Sequence, residues 1–417
     1  MSDMNFLERL LDGVAVEWKP LGEEFPFIRN GFVGTVTPFF TDAENGVRYL
    51  QGTNIHNGVI SDNAAYYVTK DFHQKCSRTQ LKADDILMVQ SGHIGESAVV
   101  GEKYEGSNCH ALIVMSNGGK CNSKFVNYYF QSTDGKNKLK RITTGGTVKH
   151  ILASKMKQFI IPIPPLKIQA EIVRILDTFT ELTAELTAEL IARQKQYEYY
   201  RDRLLTFEEG KVEWKTLGEI TRIFSASRVH KNEWTTAGVP FFRTSDVISI
   251  FNGVKNSRDD AFISNELYET LSSKSGKVQK NDILVTGGGT IGIPYIVPTD
   301  EPLYFKDADL LCIKKSKILN SKFLYHYFLT TKFRIYLDNI SHNSTIAHYT
   351  ISQITKTPVP IPPLEEQARI VAILDKFDTL TTSIREGLPR EIALRQQQYE
   401  YYRDLLLSFP KAEEDGK

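Results

Sequence analysis

The segment nearest in type and spacing to a reaction centre is Gly287-Gly-Gly-Thr-Ile-Gly292, which follows the apolar run Asp282-Ile-Leu-Val285. Glycines in a G-x-G-x-x-G spacing let backbone N–H groups approach a phosphate or a methyl donor, provided a helix N-terminus follows. Pro294 and Pro298 follow instead, and the corresponding Gln90-Ser-Gly-His-Ile-Gly95 lacks the first glycine. The segment therefore reads as a tight turn between strands, or as a glycine-permitted loop that brings backbone close to phosphate. Ile163-Pro-Pro-Leu166 and Ile361-Pro-Pro-Leu364 carry a double proline. They lack the Asn or Asp and the aromatic residue with which an adenine methyltransferase would hold a flipped base. Glu17-Trp-Lys19 and Glu213-Trp-Lys215 supply only the Glu-x-Lys half of a nuclease pattern, so their tryptophans read as packing groups. No Walker lysine motif and no H-E-x-x-H pair is present. Cys76, Cys109, Cys121 and Cys312 lack paired spacing. A metal set of Cys109, His110 and Cys121 is outweighed by the reading of thiols idle in a reducing compartment.

These fragments sit in a chain that repeats itself. Val16-Glu-Trp-Lys-Pro-Leu-Gly-Glu23 returns as Val212-Glu-Trp-Lys-Thr-Leu-Gly-Glu219, and Gln196-Tyr-Glu-Tyr-Tyr-Arg-Asp202 returns as Gln398-Tyr-Glu-Tyr-Tyr-Arg-Asp404. The offset is 196 at Trp18/Trp214, 198 at Pro164/Pro362 and 202 at Tyr197/Tyr399. A period of that length is a duplicated domain with its helix, not a solenoid unit. The chain is 417 residues long with 41% hydrophobic and 24% charged residues, an ordinary globular composition. It has no apolar run of membrane-spanning length. Its first residues lack the cationic and apolar regions of a secretory signal, which predicts a cytoplasmic protein. A formal net charge of +1 neither demands nor forbids nucleic acid, because a local patch decides.

Each half opens with Glu-Trp-Lys and continues through short β-type runs, such as Ile86-Leu-Met-Val89 and Leu310-Leu-Cys-Ile313. Helical patches intervene, with Ser123–Phe130 answered by Ser321–Phe328. The pattern predicts an α+β domain in each half. After each Ile-Pro-Pro-Leu a long helix begins, because proline suits a first helical turn. The first is predicted from about Leu166 to Phe207, with Ile168, Ile172, Ile175, Phe179, Leu182, Leu186, Tyr197 and Leu204 forming one apolar stripe. The second is predicted from about Leu364 to Phe409, broken near Gly387-Leu-Pro389.

Four segments result. Residues 1–160 form a first globular domain, 161–210 a central helical spacer, 211–358 a second domain and 359–417 a distal spacer. The spacers are predicted to pair as an antiparallel coiled coil with pseudo-twofold symmetry. Thr183-Ala-Glu-Leu186 is repeated at once as Thr187-Ala-Glu-Leu190. Tyr197 stands 18 positions after Phe179 and Tyr399 stands 22 after Phe377, so the second spacer is expected to be one helical turn longer. Leu7-Glu-Arg-Leu-Leu11 precedes the first Glu-Trp-Lys as Arg201-Asp-Arg-Leu-Leu205 precedes the second, whereas Arg403-Asp-Leu-Leu-Leu407 precedes none. The frame wraps round, which predicts that the two ends of the chain lie close together.

On the Glu-Trp-Lys, Ile-Pro-Pro-Leu, Thr-Ala-Glu-Leu and Tyr-Glu-Tyr-Tyr-Arg-Asp segments, the chain resembles the DNA-specificity subunits of type I restriction–modification enzymes. The tandem Thr-Ala-Glu-Leu is similar to the IC subgroup. The resemblance implies two target-recognition domains alternating with conserved helices, and an asymmetric bipartite DNA target. It also implies a non-catalytic subunit, without cofactor or metal of its own, in a phage-defence complex. Its partners would be double-stranded DNA, two modification (methyltransferase) subunits and restriction (translocase and nuclease) subunits. S-adenosylmethionine, ATP and Mg would belong to those partners. The alternative is a self-sufficient DNA methyltransferase or nuclease using the Gly287–Gly292 loop.

Polar and cationic segments equivalent in the two halves are the candidates for DNA contact. In the first they are Gln90, His93, Lys138, Lys140, Arg141, Thr143, Thr144 and Thr147. In the second they are Arg243, Thr244, Ser245, Thr286, Gly288, Ser341, His342, Asn343 and Ser344. Tyr197, Tyr200, Tyr399 and Tyr402, with Leu186 and Leu190, are candidates for spacer packing and subunit docking.

Overall fold

A continuous apolar run makes a strand buried on both faces, and each half of the chain is built round such strands. The structure, a computed structural model, describes residues 6–145, 149–208, 210–253, 261–341, 348–383 and 386–410. It divides into two units: residues 1–183 with 394–417, and residues 184–393. Each unit boundary therefore falls within a spacer, and the four sequence segments fold as two bodies.

In the first unit, one four-stranded sheet has the order Phe27–Asn30, Leu112–Ser116, Ile86–Val89, Ser97–Val99. Alternation at period two sorts its side chains. Ile86, Met88, Ile113 and Met115 enter a core shared with helices, while Leu87, Val89, Leu112 and Val114 enter a second core on the other face. The second unit repeats the order with Ile223–Phe224, Leu310–Ile313, Ile283–Thr286 and Pro294–Ile296. Ile283, Val285, Leu311 and Ile313 face the helical core, and Leu284, Leu310 and Cys312 face the other. A second four-stranded sheet in each unit contains one parallel pair, Gly46–Leu50 with Asn108–Cys109 and Val239–Phe242 with Tyr304–Phe305.

The Glu-Trp-Lys segments are strands. Glu17–Pro20 pairs antiparallel with Ile160–Ile163, and Glu213–Thr216 pairs with Pro358–Ile361. Prolines 162, 358 and 360 are tolerated because each ladder has only two strands. Trp18 lies edge-on to Tyr129 at 6.3 Å and donates its Nε1–H to the Pro410 carbonyl at 3.1 Å, the packing role its sequence predicts.

The central helix runs Leu166–Leu204, 39 residues. The distal spacer is two helices, Leu364–Thr382 and Leu388–Leu406. The second spacer is therefore not a longer rod: its extra residues fall at the break, not in an added turn. Gly387 belongs there because a Cβ on it would lie 2.4 Å from the Thr379 carbonyl oxygen. The central helix passes from the first unit into the second and the distal spacer returns, so the two run in opposite chain sense. In the first unit Phe179 stacks on Tyr402 at 5.4 Å, and in the second Tyr200 stacks on Phe377 at 5.6 Å. Leu7 and Leu11 share the first unit's core with Leu406, Leu407 and Phe409, which brings the described ends of the chain together.

Each spacer is pinned at two points, one to each domain. Buried Gln169 accepts the Asn122 N–H at 2.8 Å and donates to the Pro164 carbonyl at 2.7 Å. Gln367 repeats this with Asn320 at 2.7 Å and Pro362 at 2.8 Å, and also donates to Ile318 at 2.9 Å. At the far ends, Asp404 accepts the Thr133 N–H at 3.0 Å, and Asp202 accepts the Thr331 N–H at 3.1 Å.

Gln367→Leu leaves buried backbone groups unpaired, and we expect a loss of about 2–4 kcal/mol of stability, read as a lowered denaturant midpoint. An unchanged midpoint would deny the clamp. Burial pushes the Asp404 carboxyl up, but the bonds from Thr133 and the Arg403 guanidinium together outweigh it and hold the carboxyl below the usual carboxylate range. A depressed folded value gives stability that is complete above the unfolded value of about 3.9 and is lost as pH falls through the folded one. Acidification should therefore narrow the stability difference between the parent and Asp404→Asn, measured by denaturant titration from pH 7 to pH 3.

Candidate nucleic-acid interface

The two loops singled out in the first half come together. Ser91 bridges His150, Thr144 exchanges backbone hydrogen bonds with His150 at 2.9 and 2.8 Å, and the Ile151 N–H donates to the Gln90 carbonyl at 3.0 Å. His93 is exposed, its ring edge-on to His56 at 5.8 Å. Lys140, Arg141 and Thr144 are exposed, and Thr143 is half-buried with its hydroxyl on the Leu139 carbonyl. A cavity of about 560 Å³ opens beside them, lined in part by Lys136, Lys140, Lys149 and Thr143. Thr147 lies outside the described residues.

Lys138 does not belong to this surface. Its ammonium pairs with Asp134 at 3.0 Å, donates to the Tyr129 hydroxyl and sits 4.2 Å over the Trp18 ring. The reason is helical phase. Asp134 and Lys138 are four apart and flank the buried Gly135 and Leu139, whereas Lys136 and Lys140 lie on the other flank. Sequence reasoning missed Lys136 and Lys149, although the same spacing marks Lys136.

The second half departs further from expectation. Arg243 makes a two-pronged pair with Asp246 at 2.8 and 2.9 Å, and Asp246 also accepts the Arg243 N–H. The arginine thus closes the start of helix Thr244–Phe251 and does not reach outward. Thr244 is half-buried with its hydroxyl on the Asp309 carbonyl at 3.2 Å, and Ser245 is half-buried. Thr286 is fully buried, its hydroxyl accepting the Ile293 N–H at 2.8 Å. Gly288 is buried and bridges His348, the partner equivalent to His150 in the first half. Thr286 and Gly288 therefore form the turn and are not presented to solvent. Ser341 is half-buried with its hydroxyl on the Asp338 carbonyl, and His342, Asn343 and Ser344 lie outside the described residues.

The glycine segment leads into the strand Pro294–Ile296, not into a helix. The Gly287 N–H is already given to the Asp309 carbonyl at 2.7 Å. It offers no helix N-terminus to a cofactor. Among the described residues no group of His, Cys, Asp and Glu could hold a metal ion. Burial pushes the thiols of Cys109 and Cys121 up to about 12 and lowers the His110 pKa.

Of the helical tyrosines, Tyr197 and Tyr399 are buried within their own units. Tyr197 bonds His326 at 3.0 Å, and Tyr399 bonds Gln131 at 3.3 Å. They pack the spacers and cannot meet a further subunit. Leu186 and Leu190 are half-buried. Tyr402 is exposed at its edge while it stacks on Phe179, and the most outward tyrosines of the two spacers are Tyr199 and Tyr401, at 59% and 64% exposure. Their position two residues on from Tyr197 and Tyr399, roughly 200° round a helix, is the signal that could have found them.

Residues 23–195 and 209–394 match the family described as Type I restriction modification DNA specificity domain. The chain is 35% identical over 447 residues to the type I restriction enzyme EcoR124I/EcoR124II specificity subunit of Escherichia coli, covering 99% of each. It is 34% identical over 424 residues to the putative type I restriction enzyme specificity subunit S.HindORF215P of Haemophilus influenzae, covering 98% of this chain and 99% of that one. Its fold is similar to a chain in a solved structure concerned with complex assembly and conformational transition of the type I R-M system. There the TM-score is 0.61 at 17% identity, over 94% of this chain and 98% of that one. The S subunit from M. genitalium gives a TM-score of 0.53 at 15% identity, over 96% and 98%.

Thr286→Val strands the buried Ile293 N–H and should cost about 1–3 kcal/mol. Lys140→Ala should leave the thermal midpoint unchanged. Equal midpoints for Thr286→Val and the parent would return Thr286 to the surface set.

Proposed function

Because the chain belongs to the type I restriction–modification DNA specificity family, we propose that it reads a bipartite DNA target for a restriction–modification complex without catalysing a reaction itself. The observation that carries this reading is the duplication. Two units of one topology bear unlike residues along equivalent segments of sequence, 133–152 and 331–350. Like scaffolds with unlike surfaces suit two different half-sites, so the target is asymmetric. Direct readout would come from side chains such as Gln90 and His93, and phosphate anchoring from exposed cations.

The spacers serve as the ruler between half-sites and as the docking ground for modification subunits. Those partners would supply S-adenosylmethionine and the methyl transfer, and restriction subunits would supply ATP- and Mg-dependent translocation and cleavage. Exposed Tyr199 and Tyr401, equivalent in the two spacers, suit two copies of one partner. No described helix is long and apolar enough to cross a membrane. We propose a cytoplasmic location because target recognition requires access to DNA.

A third Thr-Ala-Glu-Leu inserted after Leu190 adds four residues, about 6 Å of helix. Base pairs rise about 3.4 Å, so the unspecified gap in the methylated target should grow by one or two base pairs while both half-sites stay the same. Methylome sequencing of cells carrying this chain with its modification partner reads the result. An unchanged gap would sink the ruler, and altered half-sites would place specificity in the spacers.

A further inference from the structure

The two units differ at one equivalent place in a way that the duplication does not explain. Residues 133–152 hold five Lys or Arg against one Asp, a net +4, whereas residues 331–350 hold two against one, a net +1. In the first unit this charge lines a groove of about 560 Å³ whose cations are Lys136, Lys140 and Lys149, with Thr143 and Gly145 beside them. All three lysines are exposed, and none is in a salt bridge among the described residues. Glu96 also lines the groove, but its carboxylate accepts the Asn57 N–H at 2.8 Å. A cation near a helix C-terminus, such as Lys140, is favoured by the helix dipole alone. That does not account for Lys136 near the start of helix Thr133–Ile142, or for Lys149 beyond its end.

In the second unit the described residues at the same place are arranged differently. Arg334, equivalent to Lys136, turns inward and donates to the Ile291 carbonyl at 3.0 Å. In sequence, Asp338 answers Lys140 and Ala347 answers Lys149, and Ala347 lies outside the described residues. The loop and helix also lie closer there. A Cβ on Gly292 would sit 2.2 Å from Leu337, but one on the equivalent Gly95 would sit 3.4 Å from Leu139. The groove is thus open and basic in the first domain, whereas among the described residues of the second the equivalent cation is bonded to backbone and loop and helix lie closer.

We propose that the Lys136–Lys140–Lys149 groove of the first unit is a clamp for the phosphodiester backbone of DNA, and that the described residues of the second unit supply no counterpart at this place. The inference rests on the DNA-recognition reading above and adds to it an electrostatic inequality between the two readers. The first domain anchors through phosphate, and its hold is the salt-sensitive one. The second depends more on contacts that release no counterions.

The test uses the full chain assembled with its modification partner and a DNA duplex carrying the methylated target. Affinity is measured across salt concentration for the parent, for K136A/K140A/K149A, and for K136R/K140R/K149R. Each lost phosphate contact flattens the slope of log affinity against log salt by about 0.9. Three contacts make the alanine variant about forty-fold less sensitive than the parent between 50 and 200 mM salt. The arginine variant should keep the parent's slope, and footprints should show the same target in all three. An alanine variant that melts with the parent and keeps the parent's slope would overturn the clamp alone. If the alanine variant melts lower, an arginine variant of parental stability and flattened slope would overturn it as well. A parent complex with no sequence-selective footprint would overturn the DNA-recognition reading itself.

Discussion

Two buried amides hold this architecture in register. Gln169 and Gln367 stand in the first turn of the spacer helices, out of reach of water. A primary amide in such a place must bond through both its oxygen and its nitrogen or destabilise the fold. Here the oxygen takes the N–H of the residue that caps the next domain helix, and the nitrogen gives to the proline carbonyl at the bend. One side chain thus ties the last domain strand, the proline turn, the domain helix and the spacer together. Asp202 ties the far end of the central spacer to the second domain through Thr331, and Asp404 ties the far end of the distal spacer to the first through Thr133. A helix held at fixed points can act as a ruler; one packed only by apolar contact could slide by a turn.

The duplicated frame supports two surfaces that have diverged in opposite ways. Where the first domain keeps Lys136 outside, the second folds Arg334 onto Ile291, with burial and the charge of Arg201 holding its guanidinium below the usual range. The backbone topology is common to both, so the difference is carried by side-chain choice and a small shift of helix against loop. This is the pattern expected when scaffold and recognition are under separate constraints: the sheets must alternate to bury both faces, while the loops have no such rule.

Much of this was legible from residue pattern. The duplication, the buried strands and the start of each spacer follow from repeated segments, continuous apolar runs and proline bends. The break in the distal spacer follows from Gly387 and Pro389, and packing of the Glu-Trp-Lys tryptophans follows from their residue type. The candidate surface was legible only in outline. The loops that carry Gln90 and Thr144 meet, and His93, Lys140 and Arg141 are exposed, but Lys138, Arg243, Thr286 and Gly288 are turned to structural use. Polar type says that a group can bond; it does not say with what.

The sequence by itself therefore determined the two-domain repeat, the element types and their order, because these depend on local periodicity and on near-identical segments. Tertiary structure decided where the units divide, that the distal spacer's extra residues make a break and not a turn, and which cations face outward. The physical reason is that each depends on partners far apart in the chain. Lys138 finds Trp18, Asp404 finds Thr133, and Arg334 finds Ile291 only once the sheets and helices have brought them within bonding distance.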